Sequence, residues 1–306
     1  MSEHHHHHDH HHDHHHHHVQ RQHLILSIVL NLGFVLVETG VGFGTGSLGL
    51  LSDAGHNLSD VFSLLLAFVA IRLAASHSSK RFTYGYRKSS VLISLLNAII
   101  LLVAVGVILI ESIQKLLNAG AIEVNASAIS WTAGIGILVN GFTAWLLIPK
   151  EDHDVNMRGA YLHMLADTLV SVGVVVSGIV IGFTGWNWID PVIGIVIALI
   201  ILVSTWQLLA ESLRLSIDAV PEEIDPDEIV EEMKEVPGVM DVHHLHIWPI
   251  STTQVALTAH VVLEDLAAMP QTIPALKHKL KDHGIGHSTL EVEVPGSPCE
   301  SHDCNE

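Results

Sequence analysis

The stretch LLSDAGHNLSD, Leu50–Asp60, decides how this chain is read. It lies inside a long apolar run yet carries Asp53, His56, Asn57 and Asp60. On a helix these fall at i, i+3, i+4 and i+7 and form one polar stripe. A charged residue at membrane depth costs about 2.5–3.5 kcal/mol on insertion scales, so a charge kept there points to a function. Within the stripe, His56 and Asp60 spell H-x-x-x-D, and i, i+4 spacing puts both side chains on one face. The same word recurs at His163 and Asp167, in GAYLHMLADTLV.

Six apolar runs surround these words: Leu24–Phe43, Leu48–Leu73, Val91–Ile110, Ala128–Ile148, Ala160–Phe183 and Pro191–Leu209. Each is near the ~20 residues that cross a hydrocarbon core. Buried helices of a soluble protein are the plain alternative, and six in succession argue against it. Of the 306 residues, 49% are hydrophobic and only 15% charged, below the roughly 25% charged of soluble domains. The net charge of −18, with histidine neutral, argues against nucleic acid as a partner and suits cations. Arg21, Lys80, Arg81, Arg87, Lys88, Lys150 and Arg158 fall on one side of the expected spans, and Lys115 alone on the other. That bias places both termini in the cytoplasm. Small residues in the fifth span, Ser171, Gly173, Ser177 and Gly178, permit close helix packing in a bilayer. No cleavable signal peptide is visible, because the extreme N-terminus is polar.

The composition changes near Glu211. DPDEIVEEMKEVPG reads as a capped helix that stops at Pro237-Gly238. VMDVHHLHIW and TQVALTAHVVL read as strands, MPQTIPALKHKLKDHG as a helix ending at Gly284, and HSTLEVEVP as a last strand. The order αββαβ predicts a small α+β domain of ferredoxin-like or metallochaperone-like type, its two helices on one face of a three-stranded sheet. The expected organisation is a histidine-rich cytoplasmic arm over 1–22, six transmembrane helices over 23–210, a cytoplasmic domain over 211–296 and a Cys/His tail over 297–306.

Four sets of residues offer metal ligands. His56, Asp60, His163 and Asp167 supply two imidazoles and two carboxylates, a set that suits tetrahedral Zn²⁺; internal His–Asp hydrogen bonds between helices are the alternative. In the soluble domain, His243, His244 and His246 line one expected strand and His260 the next, while His287, Glu291 and Glu293 share a face of the last. Strand alternation puts His244 and His246 together and His243 on the other face. A wet sheet surface is the alternative there. Cys299, His302 and Cys304 close the chain with soft and borderline donors, or with a disordered end. The only two cysteines lie in these last eight residues, which argues against a disulfide framework. Residues 4–18 hold 13 of the 26 histidines. An expression tag is the plain reading, but Asp9 and Asp13 interrupt the run, which favours a metal-collecting arm.

GSLGLLSDAGHNLSD, RFTYGYRKSSVLISLLNA, HMLADTLVS, WIDPVIG, VHHLHIW and GIGHSTLEVE run from Gly46 to Glu293. With these words the chain resembles the cation diffusion facilitators, and among them the zinc-exporting branch with a histidine-rich N-terminus. The resemblance implies a transport site at His56, Asp60, His163 and Asp167. It implies cytoplasmic zinc at His243, His260 and Glu293, with His287 as a further candidate, at a homodimer interface, and a second zinc at Cys299 and Cys304. Two departures stand out: Ser90 occupies a position that is often acidic, and the loop between the second and third spans offers only His77 as a ligand. The expectation is a homodimeric Zn²⁺/H⁺ antiporter with no enzymatic activity, in a lipid bilayer that is a bacterial inner membrane. Alternating access about a fixed site is what the resemblance implies for mechanism. A membrane metalloenzyme of the histidine-box type would need more H-x-x-H words near the membrane edge than the polyhistidine run supplies, or an H-E-x-x-H helix, and neither is present. A metal sensor or store without transport is the other alternative.

Overall fold

The computed structural model describes residues 12–45, 48–117, 126–148, 154–186 and 188–296. The six apolar runs form six helices: α1 His12–Thr45, α2 Leu48–Ala74, α3 Lys88–Leu117, α4 Ala126–Leu146, α5 Val155–Thr184 and α6 Ile189–Ser216. By length and apolarity alone, Gln22–Val41, Lys88–Leu117 and Pro191–Ser216 suffice to cross a membrane among the described residues. Helix α1 starts at His12, well before the apolar run at Leu24, because the histidine-rich stretch holds no Pro or Gly to stop it. The expected arm over 1–22 therefore gives its last part to α1.

The chain divides into two compact units. The first draws on 1–72, 96–151 and 155–209. Inside it α4 packs along α5 and α1 against α4. Leu24, Leu64, Ala67, Ala144, Leu147, Met157, Ala160 and Met164 form one buried cluster from α1, α2, α4 and α5. Val105, Ala166, Ala198 and Ile201 form another from α3, α5 and α6. Leu36, Val103, Leu138 and Val203 stand exposed on the outer faces. Large apolar side chains outside and polar ones inside suit a lipid surround. Asn31 donates from Nδ2 to Thr143 Oγ1 at 3.0 Å and so ties α1 to α4.

The second unit draws on 73–95, 152–154 and 210–306. Helix α7, Pro226–Lys234, starts where the Asp225 carboxylate accepts the Asp227 N–H, with Pro226 in the first turn. Strands β1 Val239–Pro249 and β2 Val255–Leu263 pair antiparallel. Helix α8, Met269–Asp282, then leads to β3, His287–Glu293, which pairs parallel with β2. The sheet order is β1-β2-β3. Ile229 and Met233 of α7 and Leu276 and Leu280 of α8 bury against Val242, Ile247, Leu257 and Val261. The αββαβ order is as the sequence leads one to expect.

The last segment of this unit begins at 210, beside the expected boundary, and two earlier segments join it. Residues 73–95 and 152–154 group with the sheet domain. Lys88 Nζ donates to the carbonyls of Leu215 at 2.9 Å and Pro249 at 3.1 Å and pairs with Asp218. The Thr252 N–H donates to Ser90 Oγ, and Thr252 Oγ1 donates to Asp154 Oδ1. Gly85 holds the loop with φ +70, and a Cβ there would meet the Ser76 carbonyl oxygen at 2.9 Å.

Candidate metal centres

In the helical unit, α2 and α5 bring Asp60, His163 and Asp167 together. Their ligand atoms all lie within 4.8 Å of one another. His163 Nε2 is 2.8 Å from Asp60 Oδ1, across two helices, and 3.8 Å from Asp167 Oδ2 on its own helix. The His163, Asp60 and Asp167 side chains are 4%, 1% and 9% exposed. Helical i, i+4 spacing aims both ligands of α5 the same way, and α2 supplies the facing carboxylate. The backbone of His56 sits one turn before Asp60 on α2, while its side chain lies outside the described residues.

One buried carboxylate here has no counterpart in the repeated words. Glu38 of α1 is 3% exposed and accepts from Asn57 Nδ2 at 2.7 Å. Asn57 lies three residues before Asp60, so this bond fixes the face of α2 that carries the site. Its signal in the sequence is a lone acid in FVLVETGVGF, within the first apolar run.

In the sheet domain, His243, His260 and Glu293 converge from β1, β2 and β3. His243 and His260 are direct partners across the β1–β2 ladder. Glu293 Oε1 is 2.7 Å from His260 Nδ1, and Oε2 is 3.5 Å from His243 Nε2. Two imidazoles and a carboxylate fit zinc, since this donor set recurs at zinc sites. Asp241 stands behind, with Oδ2 3.5 Å from His243 Nδ1. Burial pushes the Asp241 carboxyl up, but the Lys234 ammonium at 2.9 Å, the Val242 amide and His243 outweigh it and hold it below the ordinary carboxylate range. An ionised Asp241 can orient the His243 ring for a metal at Nε2.

Two expectations for this domain change. His287 is not in the cluster: it pairs with Ala256, whereas Glu291 pairs with His260. Four residues along a strand is about 13 Å. Its ring instead meets Tyr84, with Nε2 3.4 Å from the phenol oxygen and the rings edge to face. His243 is not turned away from His244. The register of β1 against β2 shifts between His243 and His246, and His244 has φ +53. A bulge of this kind breaks the alternation, so both His243 and His244 stand beside His260, with ring centroids 5.4 and 5.0 Å away. Cys299, His302 and Cys304 lie outside the described residues.

The helical unit carries a transport family's signature. Residues 24–215 match the cation efflux transmembrane domain, and 221–294 match the cation efflux protein cytoplasmic domain. The chain belongs to the cation efflux family. Among its cation efflux relatives is a "Cadmium, cobalt and zinc/H(+)-K(+) antiporter" of Bacillus velezensis, 33% identical over 89% of this chain and 88% of that one. "Metal cation efflux system protein CzcD" of Cupriavidus metallidurans is 35% identical over 92% and 88%. "Zinc transporter ZitB" of Escherichia coli is 34% identical over 93% and 90%. Like other cation efflux proteins, the chain is a multi-pass integral membrane protein with a cytoplasmic domain.

Proposed function

We propose that this chain is a homodimeric antiporter that exports Zn²⁺ from the cytoplasm in exchange for protons, with Asp60, His163, Asp167 and His56 as the transport ligands. The relatives' names support the cargo and the coupling. The observation that carries the site is the buried convergence of Asp60, His163 and Asp167 inside the membrane domain.

Charge balance supports the exchange. Two carboxylates and a neutral imidazole in a buried site carry about two uncompensated negative charges, which costs several kcal/mol per ion. A divalent cation compensates them, and so do protons. Imidazole must shed its proton to bind metal, and its ordinary pKa near 6.5 puts that exchange close to neutral pH. The two loaded states are therefore alternatives, and the empty ionised site is the disfavoured state between them. Direction follows from magnitude. A divalent ion leaving an inside-negative compartment climbs about 4.6 kcal/mol per 100 mV, so export requires a driving ion.

His243, His260 and Glu293 hold a resident zinc that tunes the transporter and stabilises the dimer. Both termini face the cytoplasm of a bacterial inner membrane, as the distribution of Lys and Arg implies. The histidine-rich arm then gathers zinc at the cytoplasmic mouth. The test is zinc flux into sealed vesicles that contain only the purified protein and lipid. Uptake driven by an imposed proton gradient, and lost in Asp60→Ala, supports the reading. Metal binding without flux makes the chain a sensor or store.

A further inference from the structure

We propose that His244 and His246 form a second divalent-metal site on the sheet domain, separate from His243, His260 and Glu293, that takes Zn²⁺ or another borderline ion. The site does not depend on the transport reading, because none of its residues belongs to the helices that carry Asp60 and His163.

The first ground is distance. His246 Nε2 lies 3.3 Å from His244 Nε2. Two nitrogens on one tetrahedral zinc, each about 2.0–2.1 Å from it, are about 3.3–3.4 Å apart. The rings stand at 89° with centroids 4.8 Å apart, so they converge at their Nε2 tips and do not stack. His246 is exposed and His244 half-buried, which leaves the tips within reach of ions from solution.

The second ground is backbone. His244 has φ +53, in the left-handed region that a residue with a Cβ seldom adopts. It does so inside a strand, at the register shift between His243 and His246. On a regular strand, neighbours point to opposite faces. The bulge lets His243 and His244 both approach His260. Backbone strain of this sort persists where a site needs it.

The test is site-resolved acylation of histidines by diethylpyrocarbonate on the full-length purified protein, read by mass spectrometry across a zinc titration. The reagent takes an imidazole's lone-pair nitrogen, which a bound metal occupies. In the parent, His244 and His246 should lose reactivity together, with one midpoint and by at least about tenfold at saturation. In His244→Asn, whose side chain tolerates φ +53, His246 should stay reactive while His243 and His260 remain protected. His246→Gln gives the reciprocal reading at His244 should the first variant fail to fold. Asp60→Ala should leave the protection unchanged, which separates this site from the transport site. If His246 reacts equally with and without zinc, or stays protected in His244→Asn, then the two rings are a hydrogen-bonded pair and the proposal is overturned.

Discussion

The two three-residue constellations use the same donors in different surroundings. Asp60, His163 and Asp167 are nearly sealed, and they come from two helices whose neighbours are apolar. His243, His260 and Glu293 are 29%, 15% and 12% exposed, and they come from three hydrogen-bonded strands. Helices in a bilayer are joined by side-chain contacts and can shift against one another. Strands joined by a ladder cannot shift without breaking it. A sealed site between movable helices suits a travelling ion, and an open site on a fixed sheet suits a resident one.

The largest effect that could break this contrast is loss of transport. Asp60→Ala or Asp167→Ala should reduce proton-driven zinc uptake into inverted vesicles by more than about 100-fold, beyond the 10–100-fold typical of losing a metal site's outer partners. Near-parental uptake in either variant would dissolve the distinction. His260→Ala should remove bound zinc from the sheet domain and leave flux within several-fold of the parent. Complete loss of flux from a correctly folded His260→Ala protein would mean that the sheet site lies on the ion's path.

Selectivity sharpens the contrast at intermediate size. His56→Asp exchanges an imidazole for a carboxylate, so harder or larger ions should compete better, cadmium first. Competition assays that show an unchanged zinc:cadmium preference would move selectivity away from the ligand set. Deleting residues 4–18 should raise the apparent KM for zinc at low free zinc with little change in maximal rate, and the difference should fade below about pH 6. A collapsed maximal rate would make the arm part of the machinery.

The smallest effect concerns the support behind His243. Asp241 has a folded pKa below its unfolded value. Its contribution is therefore present above the unfolded value, near 3.9, and lost as pH falls through the folded one. Both partners are about half exposed, so Lys234→Ala should cost only about 0.2–1 kcal/mol. Thermal unfolding of parent and variant should differ slightly at pH 7 and converge near pH 3. A difference that grows on acidification would contradict the sign.

Helix spacing makes Asp60, His163 and Asp167 legible in the sequence, because i, i+4 is a local rule. Which atoms meet across α2 and α5 is not local. The 2.8 Å contact between His163 and Asp60 joins residues 103 apart, and only the recurrence of the word hints at it. Glu38 escapes a reading by pattern, because a single acid in an apolar run has no spacing to read. The αββαβ order follows from caps and alternation, yet alternation misplaces His243, since a bulge is set by tertiary pairing. His287 is near Glu291 and Glu293 in sequence, whereas parallel pairing with β2 fixes it at Ala256 and away from the cluster.

The most direct measurement is simultaneous zinc and proton flux in proteoliposomes of the purified protein, with trapped indicators for each ion. The account predicts zinc entry coupled to proton exit when the lumen is acid, and loss of both fluxes in Asp60→Ala and Asp167→Ala. Zinc entry without proton movement, or parental fluxes in either variant, would contradict it.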